Sequence, residues 1–284
     1  MLSRLLAHPA TRGLDLDSPQ TTAIRREIVR GKPFLRKIYE EWYRLIAERV
    51  PKPVTGGSVD TATTVAGTTA ASGRDDEDTM ADAALELGSG AGFLDEFVPR
   101  LVTSDVFAVP GVARVIDARE LPFRDASLRA IAMTNVFHHI PQVERFLDEA
   151  QRCLRPGGRL VMIEPWVTWW SRVVYTRLHH EPFDPAAPDW SFPATGPLSG
   201  ANGALPWIVF SRDRDRLSRG FPRLRVLEAR PIMPLRYLVS GGISMRALQP
   251  GWLHGAWAGL ERLGGPLTRA SGMFAIVVVE RAPG

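Results

Sequence analysis

Glu86-Leu87-Gly88-Ser89-Gly90-Ala91-Gly92 is the stretch of sequence that decides the fold. It closes a short apolar run at 83–87, which predicts a buried strand, and it precedes 93–98, which predicts the start of a helix. Glycines let the backbone approach a ligand closely, and a helix N-terminus offers unpaired N–H groups. The arrangement therefore predicts a site for a polar, nucleotide-like ligand.

The spacing of the glycines narrows the ligand class. A dinucleotide site has the pattern G-x-G-x-x-G, which would place its third glycine at position 93. Phe93 stands there, and the third glycine is Gly92. The spacing therefore disfavours a nicotinamide-dependent oxidoreductase, which remains an alternative interpretation.

Short apolar segments alternate with helical ones after the glycine run. The further predicted strands are 100–106, 112–117, 128–134, 159–164, 223–229 and 273–281. An amphipathic helix is predicted at 142–154 and another helix at 253–263. Such alternation predicts an α/β fold with a doubly wound, mostly parallel sheet, in which ligands bind at the carboxyl ends of the strands.

The remaining segments divide the chain into three parts. Residues 1–52 predict a helical cap in which Tyr39, Trp42 and Tyr43 either pack or form a lid over a ligand. Residues 53–81 are rich in Thr, Gly, Ser and Ala and predict a flexible linker. Residues 82–284 form the main domain, with a Trp- and Pro-rich insert at 166–219 that is too long for an ordinary connection.

Composition excludes several classes of function. The chain has 284 residues and a net charge of +4, and 32 of its 35 basic residues are arginine because it contains only three lysines. The sequence has no lysine-rich run and no aromatic–basic alternation, which are the patterns that predict nucleic-acid binding. The single cysteine, Cys153, excludes an internal disulfide and favours a cytoplasmic location. No apolar run approaches the ~20 residues that a transmembrane helix needs, and no secretory signal is recognisable.

Acidic and polar side chains follow the predicted strands. Asp105 ends the second strand, where a carboxylate can accept hydrogen bonds from both ribose hydroxyls or simply cap a turn. Asp117 and Ala118 follow the third strand, where a carboxylate and the next N–H can hold an adenine ring. Asn135 follows the fourth strand, beside the glycine turn.

Together these motifs resemble the ordered motif set of the class I S-adenosylmethionine-dependent methyltransferases. The matching elements are the E-x-G-x-G-x-G run, a D-A-x-x-L-P-F segment from 117, a strand end followed by H-H-I at 138–140, and a helix that ends R-x-L-x-P-G-G at 152–158. The version here is similar to the small-molecule branch that includes ubiquinone and menaquinone biosynthesis methyltransferases. The resemblance covers residues 83–165.

The resemblance implies a Rossmann-like sheet with strand order 3-2-1-4-5-7-6 and S-adenosylmethionine as cofactor. It implies that one group of residues contacts the methionine moiety of the cofactor, namely Glu86, Gly88, Gly90, Gly92 and, near the sulfonium, Asn135. It also implies that Asp105 binds the ribose and that Asp117 and Ala118 hold the adenine. The acceptor is expected to be a small or lipid-like molecule.

Catalysis needs a general base only when the accepting atom carries a proton of high pKa. The candidates are His138, His139 and Glu164, each of which also has a purely structural interpretation. No metal is expected, since neighbouring residues His179 and His180, which precede Glu181, point to opposite sides of a strand and no third ligand is evident.

The insert is the predicted wall of the acceptor pocket. Its tryptophans either line an apolar space or pack an extra lobe; they are Trp166, Trp169, Trp170, Trp190 and Trp207. The segment 166–175 combines aromatic, apolar and arginine residues and predicts contact with a membrane surface or a lipid-like substrate.

Two further alternatives remain open. A non-catalytic module of the same fold would bind S-adenosylmethionine or a partner without transferring a methyl group. Methylation of a macromolecule is disfavoured, because Asn135-Val-Phe-His138 stands where many DNA amino-methylating enzymes carry N/D-P-P-Y/F.

Overall fold

The computed structural model describes residues 8–11, 13–15, 17–54, 82–178, 181–193, 196 and 200–283. The predicted linker at 53–81 lies outside the described residues from position 55 onward. In the described part of the chain, no helix combines the length and the apolar character needed to cross a bilayer.

The described residues form one seven-stranded sheet. Its strands are β1 (Ala83–Leu87), β2 (Leu101–Asp105), β3 (Arg114–Val115), β4 (Leu128–Thr134), β5 (Leu154–Pro165), β6 (Leu224–Ile232) and β7 (Phe274–Arg281). Their order is β3-β2-β1-β4-β5-β7-β6, and β7 runs antiparallel to both β5 and β6. The Rossmann-like fold and the implied strand order are thus confirmed.

Three strands differ from their predicted bounds by three residues or more, and one of them, β6, ends at Ile232 rather than at 229. β3 keeps only two residues, which pair with Ser104 and Asp105 at the edge of the sheet. β5 begins five residues earlier than predicted because the Pro156-Gly157-Gly158 turn stays within the strand as an irregularity. Gly157 makes this possible with a φ of 75°, a left-handed backbone that favours glycine.

Helices cover both faces of the sheet. The α-helices are α1 (Pro19–Gly31), α2 (Pro33–Ala47), α3 (Val143–Cys153), α4 (Trp169–Leu178), α5 (Leu205–Trp207), α6 (Arg214–Gly220), α7 (Arg236–Ser240), α8 (His254–Leu263) and α9 (Gly265–Ala270). The short 3-10 turns are Pro9–Thr11, Ser89–Ala91, Leu94–Glu96, Phe137–His139 and Gly251–Leu253, and Ile208–Arg212 is a π-helical turn. Ser18 caps α1 by accepting a hydrogen bond from the Gln20 N–H.

The predicted helix after the glycine run does not form. Ser89–Ala91 and Leu94–Glu96 are isolated 3-10 turns, so the expectation of a helix starting at 93–98 is wrong. The side chains that such a helix would turn toward the sheet are buried instead beneath α2. Phe93, for example, meets Tyr43 edge-on with 4.9 Å between ring centroids.

Helix α2 takes the place of the missing helix. Its buried side chains lie on the sheet face formed by the small residues Ala84, Ala130 and Ala132, which let the helix approach closely. Trp42 packs against Phe274 of β7, with 4.9 Å between ring centroids. The packing interpretation is therefore confirmed for Trp42 and Tyr43, and each such large buried side chain stabilises the fold by ~1.5–3 kcal/mol.

Candidate active site

A cavity of about 400 Å³ opens at the carboxyl ends of the parallel strands. It is lined where β1, β2, β3, β4 and β5 end and where the antiparallel β7 begins. Its size lies within the range of small-molecule sites, ~300–1,000 Å³. We call one side the polar half: Gly88, Asp105, Asp117, Ala118 and Asn135. We call the other side the aromatic half: His138, His139, Glu181, Tyr175, Phe183, Tyr237 and Phe274.

The glycine turn meets the cavity at Leu87, Gly88 and Ala91. Gly88 lines it in a left-handed conformation, with φ at 72°. A side chain on Gly90 would collide with Thr22 of α1 and with Asp105, and one on Gly92 would collide with the Tyr43 hydroxyl. The latter two glycines therefore permit the N-terminal helices to pack directly on the turn, and neither lines the cavity.

Glu86 is buried behind this turn and does not line the cavity. Its Oε2 has no hydrogen-bond partner among the described residues. Burial raises the pKa of Glu86 to about 8. The charges of Asp95 and Asp105 also raise it, whereas a hydrogen bond from Ser89 lowers it. A buried carboxyl group without a counterion is protonated over much of the neutral range.

Asp105 lines the cavity and also braces the glycine turn. Its Oδ2 accepts a hydrogen bond from the Gly90 N–H at 3.0 Å, and its Oδ1 accepts one from the Phe107 N–H at 3.1 Å. Burial raises the pKa of Asp105, and these backbone bonds oppose that shift. The turn-capping role that the sequence left open is therefore present.

Asp117 and Ala118 lie in the polar half beyond Asp105. Asp117 is held by Arg119, whose Nε and Nη2 donate to Oδ1 and Oδ2 at 2.9 and 2.6 Å. The hydrogen bonds from Arg119 lower the pKa of Asp117. This carboxylate is therefore ionised and fixed in orientation near neutral pH.

Asn135 lies where the polar half meets the aromatic half. Its backbone has a positive φ of 56°, which is uncommon for a residue other than glycine. Its side chain hydrogen-bonds Tyr39, but Oδ1 has no partner among the described residues, and the same holds for Oγ1 of the neighbouring Thr134. Two residues of the cavity wall thus each carry a buried oxygen without a partner among the described residues.

Glu164 holds the loop that carries this wall. It is fully buried and does not line the cavity. Its Oε1 accepts hydrogen bonds from the Val136 and Phe137 N–H groups at 2.7 and 2.9 Å, and its Oε2 lies 2.6 Å from Nδ1 of His138. Glu164 is therefore a positioning residue rather than a group that touches a ligand.

The two histidines of the loop differ in protonation. Burial opposes the charge on His138, but its hydrogen bonds to Glu164 and Glu181 outweigh this and raise its pKa to about 9. Burial and the neighbouring charge of His138 lower the pKa of His139 to about 3. Nδ1 of His139 lies 3.1 Å from the Gly200 carbonyl, which only accepts, so a neutral His139 carries its proton on Nδ1 and leaves Nε2 unprotonated.

Glu181 reaches this cluster from the insert and was missed as a partner of His138 and His139. Its Oε2 lies 3.5 Å from Nε2 of His138. Two backbone bonds tie the segments together, from the Asn202 N–H to the His138 carbonyl at 3.0 Å and from the Gly203 N–H to the Pro182 carbonyl at 2.9 Å. No local sequence signal marks this contact, because it joins segments that are distant along the chain.

Aromatic rings form the far wall of the cavity. Tyr237 and Phe274 meet edge-on with centroids 4.8 Å apart, and Tyr175 and Phe183 lie at the same separation. Tyr237, Phe274 and Phe183 were not predicted to line a site, whereas Tyr175 ends the segment 166–175 that was predicted to contact a membrane surface or a lipid-like substrate. Tyr39 of α2 also lines the cavity, and its part in a lid over a ligand stays a prediction.

The prediction that tryptophans of the insert line the pocket is wrong. None of the five, all of them in the described part of the chain, lines the cavity. Trp166 and Trp190 are buried in the core, and Trp190 donates from Nε1 to Asp213 at 2.9 Å. Trp170 and Trp207 pack against the core, whereas Trp169 is 60% exposed on α4. Their size suits the packing of an extra lobe, which was the alternative.

Part of the chain is similar in sequence to known proteins. Residues 85–162 match the model of a methyltransferase domain family. The chain is 43% identical over 47 residues to the ubiquinone/menaquinone biosynthesis C-methyltransferase UbiE of Brucella anthropi, which covers 16% of this chain and 18% of that protein. It is 27% identical over 104 residues to the polyketide synthase–nonribosomal peptide synthetase TwmB of Talaromyces wortmannii, covering 34% of this chain and 4% of that protein. The chain thus spans less than a fifth of either relative.

Among solved structures, the chain is similar to geranyl diphosphate C-methyltransferase from Streptomyces coelicolor A3(2), in complex with Mg²⁺, geranyl diphosphate and S-adenosyl-L-homocysteine. The TM-score is 0.46 at 11% identity, and the alignment covers 98% of this chain and 90% of that one. The fold assignment rests on the sheet order itself. Residues 85–162 thus match a methyltransferase domain, and the strand order of the sheet is the one that the resemblance to class I S-adenosylmethionine-dependent methyltransferases implied.

Proposed function

We propose that this protein transfers a methyl group from S-adenosylmethionine to a small or lipid-like acceptor that has an aromatic or apolar body. One observation carries the proposal: a single cavity joins the polar half to the aromatic half. Donor and acceptor then share one space, which is the condition for aligning a nucleophile with an S–CH₃ bond.

The polar half fits this cofactor. Asn135 Oδ1 and Thr134 Oγ1 are buried acceptors at the cavity wall without partners among the described residues, and such groups cost ~1–3 kcal/mol until they are paired. We assign the methionine moiety to Gly88 and Asn135, the ribose to Asp105 and the adenine to Asp117 with Ala118. A carboxylate offers about four acceptor sites, so Asp105 can bind hydroxyls while it still braces the turn.

The residues behind the glycine turn have a supporting role in this proposal. Glu86, Gly90 and Gly92 do not line the cavity, and they shape the turn on which Gly88 presents its backbone. When bound, S-adenosylmethionine supplies a methyl group that its sulfonium has already activated. The protein has only to bind, orient and, for some acceptors, remove a proton.

The aromatic half is the proposed acceptor site. Its rings bind the apolar body of the acceptor, and the cluster of His138, His139 and Glu181 lies where a proton would leave. In the metal-free protein Nε2 of His139 is the unprotonated nitrogen of this cluster, so His139 is the candidate general base, although a weak one because its pKa is lowered to about 3. His138 is held by Glu164 and orients the loop.

Calorimetric titration with S-adenosylhomocysteine tests the donor site. We expect one binding site per chain, and we expect Asp105→Asn to weaken it about tenfold or more through loss of a charge-assisted hydrogen bond. The exposed Asp215→Asn is the matched control and should bind as the wild type does. Absence of binding in the intact protein would refute the proposal.

Transfer of labelled methyl groups to a fractionated metabolite extract tests the reaction. We expect label in a small, extractable product and none in protein or nucleic acid. Binding of S-adenosylhomocysteine without any transfer would instead support the non-catalytic module.

A further inference from the structure

Three side chains at the acceptor side of the cavity bring potential metal ligands together. One ligand atom each from His138, His139 and Glu181 lies within 4.8 Å of the other two. His138 is buried, and the other two are partly buried at the cavity wall. Two imidazoles and one carboxylate form the ligand set of open zinc and non-haem iron sites.

Both histidine rings are held by a polar partner at Nδ1. Nδ1 of His138 lies 2.6 Å from the Glu164 carboxylate, and Nδ1 of His139 lies 3.1 Å from the Gly200 carbonyl. A carboxylate or carbonyl that accepts from one ring nitrogen is what fixes a metal-binding histidine and leaves the other nitrogen for the ion. In this arrangement Glu164, which is buried and does not line the cavity, orients the ring of His138 for metal binding.

The distance between His138 and Glu181 also suits a shared ion. Their Nε2 and Oε2 atoms are 3.5 Å apart, whereas a charge-assisted hydrogen bond is typically ~2.7–2.9 Å. Two ligands that each stand ~2.0–2.2 Å from one tetrahedral ion are about 3.4 Å apart. A simple ion-paired cluster is the competing explanation, and it predicts no metal affinity.

We propose that His138, His139 and Glu181 bind one divalent transition-metal ion, with Zn²⁺ as the representative species. The nitrogen ligands select against Mg²⁺ and Ca²⁺, which prefer oxygen. Three protein ligands leave a coordination position open toward the cavity, and it suits a hydroxyl or carbonyl oxygen of the acceptor. This last assignment rests on the proposed methyl transfer, whereas metal binding does not.

Metal content and affinity test the site directly. Protein stripped with a chelator and dialysed should take up one Zn²⁺ per chain in a competition titration against a chromophoric chelator, and Co²⁺ should give a visible ligand-field spectrum. His139→Ala and Glu181→Gln should each weaken Zn²⁺ binding by about 100-fold or more, and Glu164→Gln by ~10–100-fold because it alters the acceptor that holds Nδ1 of His138. The exposed Glu48→Gln is the control for charge and should bind as the wild type does.

A second variant tests whether Glu181 shares the ion with His138 and His139 or with its sequence neighbours His179 and His180. His179→Ala/His180→Ala removes the neighbours of Glu181 in the sequence, and we expect the Zn²⁺ affinity to remain unchanged. Loss of Zn²⁺ in this variant with retention in His139→Ala would overturn the proposal, as would a wild type that binds no Zn²⁺ or Co²⁺.

S-adenosylhomocysteine binding, measured on the same preparations, shows that each variant is folded. It also separates the two proposals. Binding of S-adenosylhomocysteine without Zn²⁺ refutes the metal site and leaves His139 as the base, whereas Zn²⁺ binding without S-adenosylhomocysteine refutes the proposed function alone.

Discussion

The two halves of the cavity are built in different ways. In the polar half, Gly88, Asp105, Asp117 and Asn135 each lie at the end of a parallel strand or within two residues of it, and neighbouring strands bring them to one edge. The aromatic half draws Tyr175, Glu181, Tyr237 and other residues from segments far apart in the chain. The first is a property of the sheet, whereas the second depends on how the insert and the C-terminal helices fold back onto it.

The two halves also differ in what holds them in place. The polar half is fixed mainly by backbone geometry, as when Asp105 accepts from the Gly90 N–H. The aromatic half is fixed mainly by side chains, above all by Glu164, which is the acceptor for three donors of the histidine loop. Four predictions follow this contrast from the largest expected effect to the smallest.

Glu164→Ala should have the largest effect. It leaves the buried donors of Val136, Phe137 and His138 without their acceptor, and removing one partner of a buried charged network costs ~3–5 kcal/mol. Urea denaturation should show this loss of unfolding free energy. Glu164→Gln keeps one oxygen for the backbone donors and should lose about half as much. Equal losses in both variants would show that the loop does not depend on this acceptor.

Glu86 should make the stability of the ligand-free protein depend on pH. Its pKa is about 8 in the folded protein and near 4.5 when unfolded, so the folded state retains the proton over that interval. Stability is therefore highest below about pH 4.5 for this group and falls as pH rises toward about 8. Between about pH 5 and about pH 7 the loss is about 3 kcal/mol.

Glu86→Gln provides the comparison for this titration. The difference in unfolding free energy between the wild type and Glu86→Gln should change with pH as stated, and parallel pH profiles would contradict the prediction. Repeating the measurement with saturating S-adenosylhomocysteine sharpens the contrast between the halves. An unchanged slope fits a supporting role behind the glycine turn, whereas a flattened slope means that the ligand's ammonium group reaches Glu86.

Gly92→Ala should destabilise the protein by about 2 kcal/mol, because the added methyl group meets the Tyr43 hydroxyl. The backbone at Gly92 has a φ of −100°, so no conformational strain contributes. Tyr43→Phe removes the obstructing oxygen and should recover most of the loss in the double variant. Thermal unfolding of the four proteins in this cycle measures the coupling, and additive effects would exclude the contact as the cause.

The sequence predicted the polar half well because its signals are local. The strand bounds 83–87 and 128–134 agree with β1 and β4, and Asp105, Asp117 and Asn135 line one cavity as their places after strands imply. The missing helix after the glycine run was not predictable from that segment. Its place on the sheet is filled by α2, and an apolar pattern such as Phe93-Leu94 does not say which helix covers it.

Apart from His138 and His139, which were candidates from their place after β4, the aromatic half was not predictable, for a different reason. Tyr237 and Phe274 are unremarkable where they stand in the sequence, and Glu181 stands beside His179 and His180 rather than near His138 and His139. Only tertiary packing brings these residues to one cavity. The prediction that tryptophans line the pocket was wrong because large aromatic residues fill cores as readily as they line pockets. Trp190, clamped by Asp213 and covered by Arg216 at 4.5 Å from its ring centroid, is the plainest case.

Trp169→Ala should have the smallest effect, and its neighbour Trp166 makes the comparison strict. Both tryptophans belong to the same stretch of the insert, but Trp169 is 60% exposed and Trp166 is 4% exposed. Trp169→Ala should change the unfolding free energy by less than about 0.5 kcal/mol, and Trp166→Ala should cost ~3–5 kcal/mol. Neither ring lines the cavity, so the KM for the acceptor in the folded Trp169→Ala protein should stay within about twofold of the wild type. For scale, a loss of about 1.4 kcal/mol in binding free energy would raise KM about tenfold. A larger rise in KM would place the exposed face of α4 in acceptor binding and extend the aromatic half beyond the cavity wall.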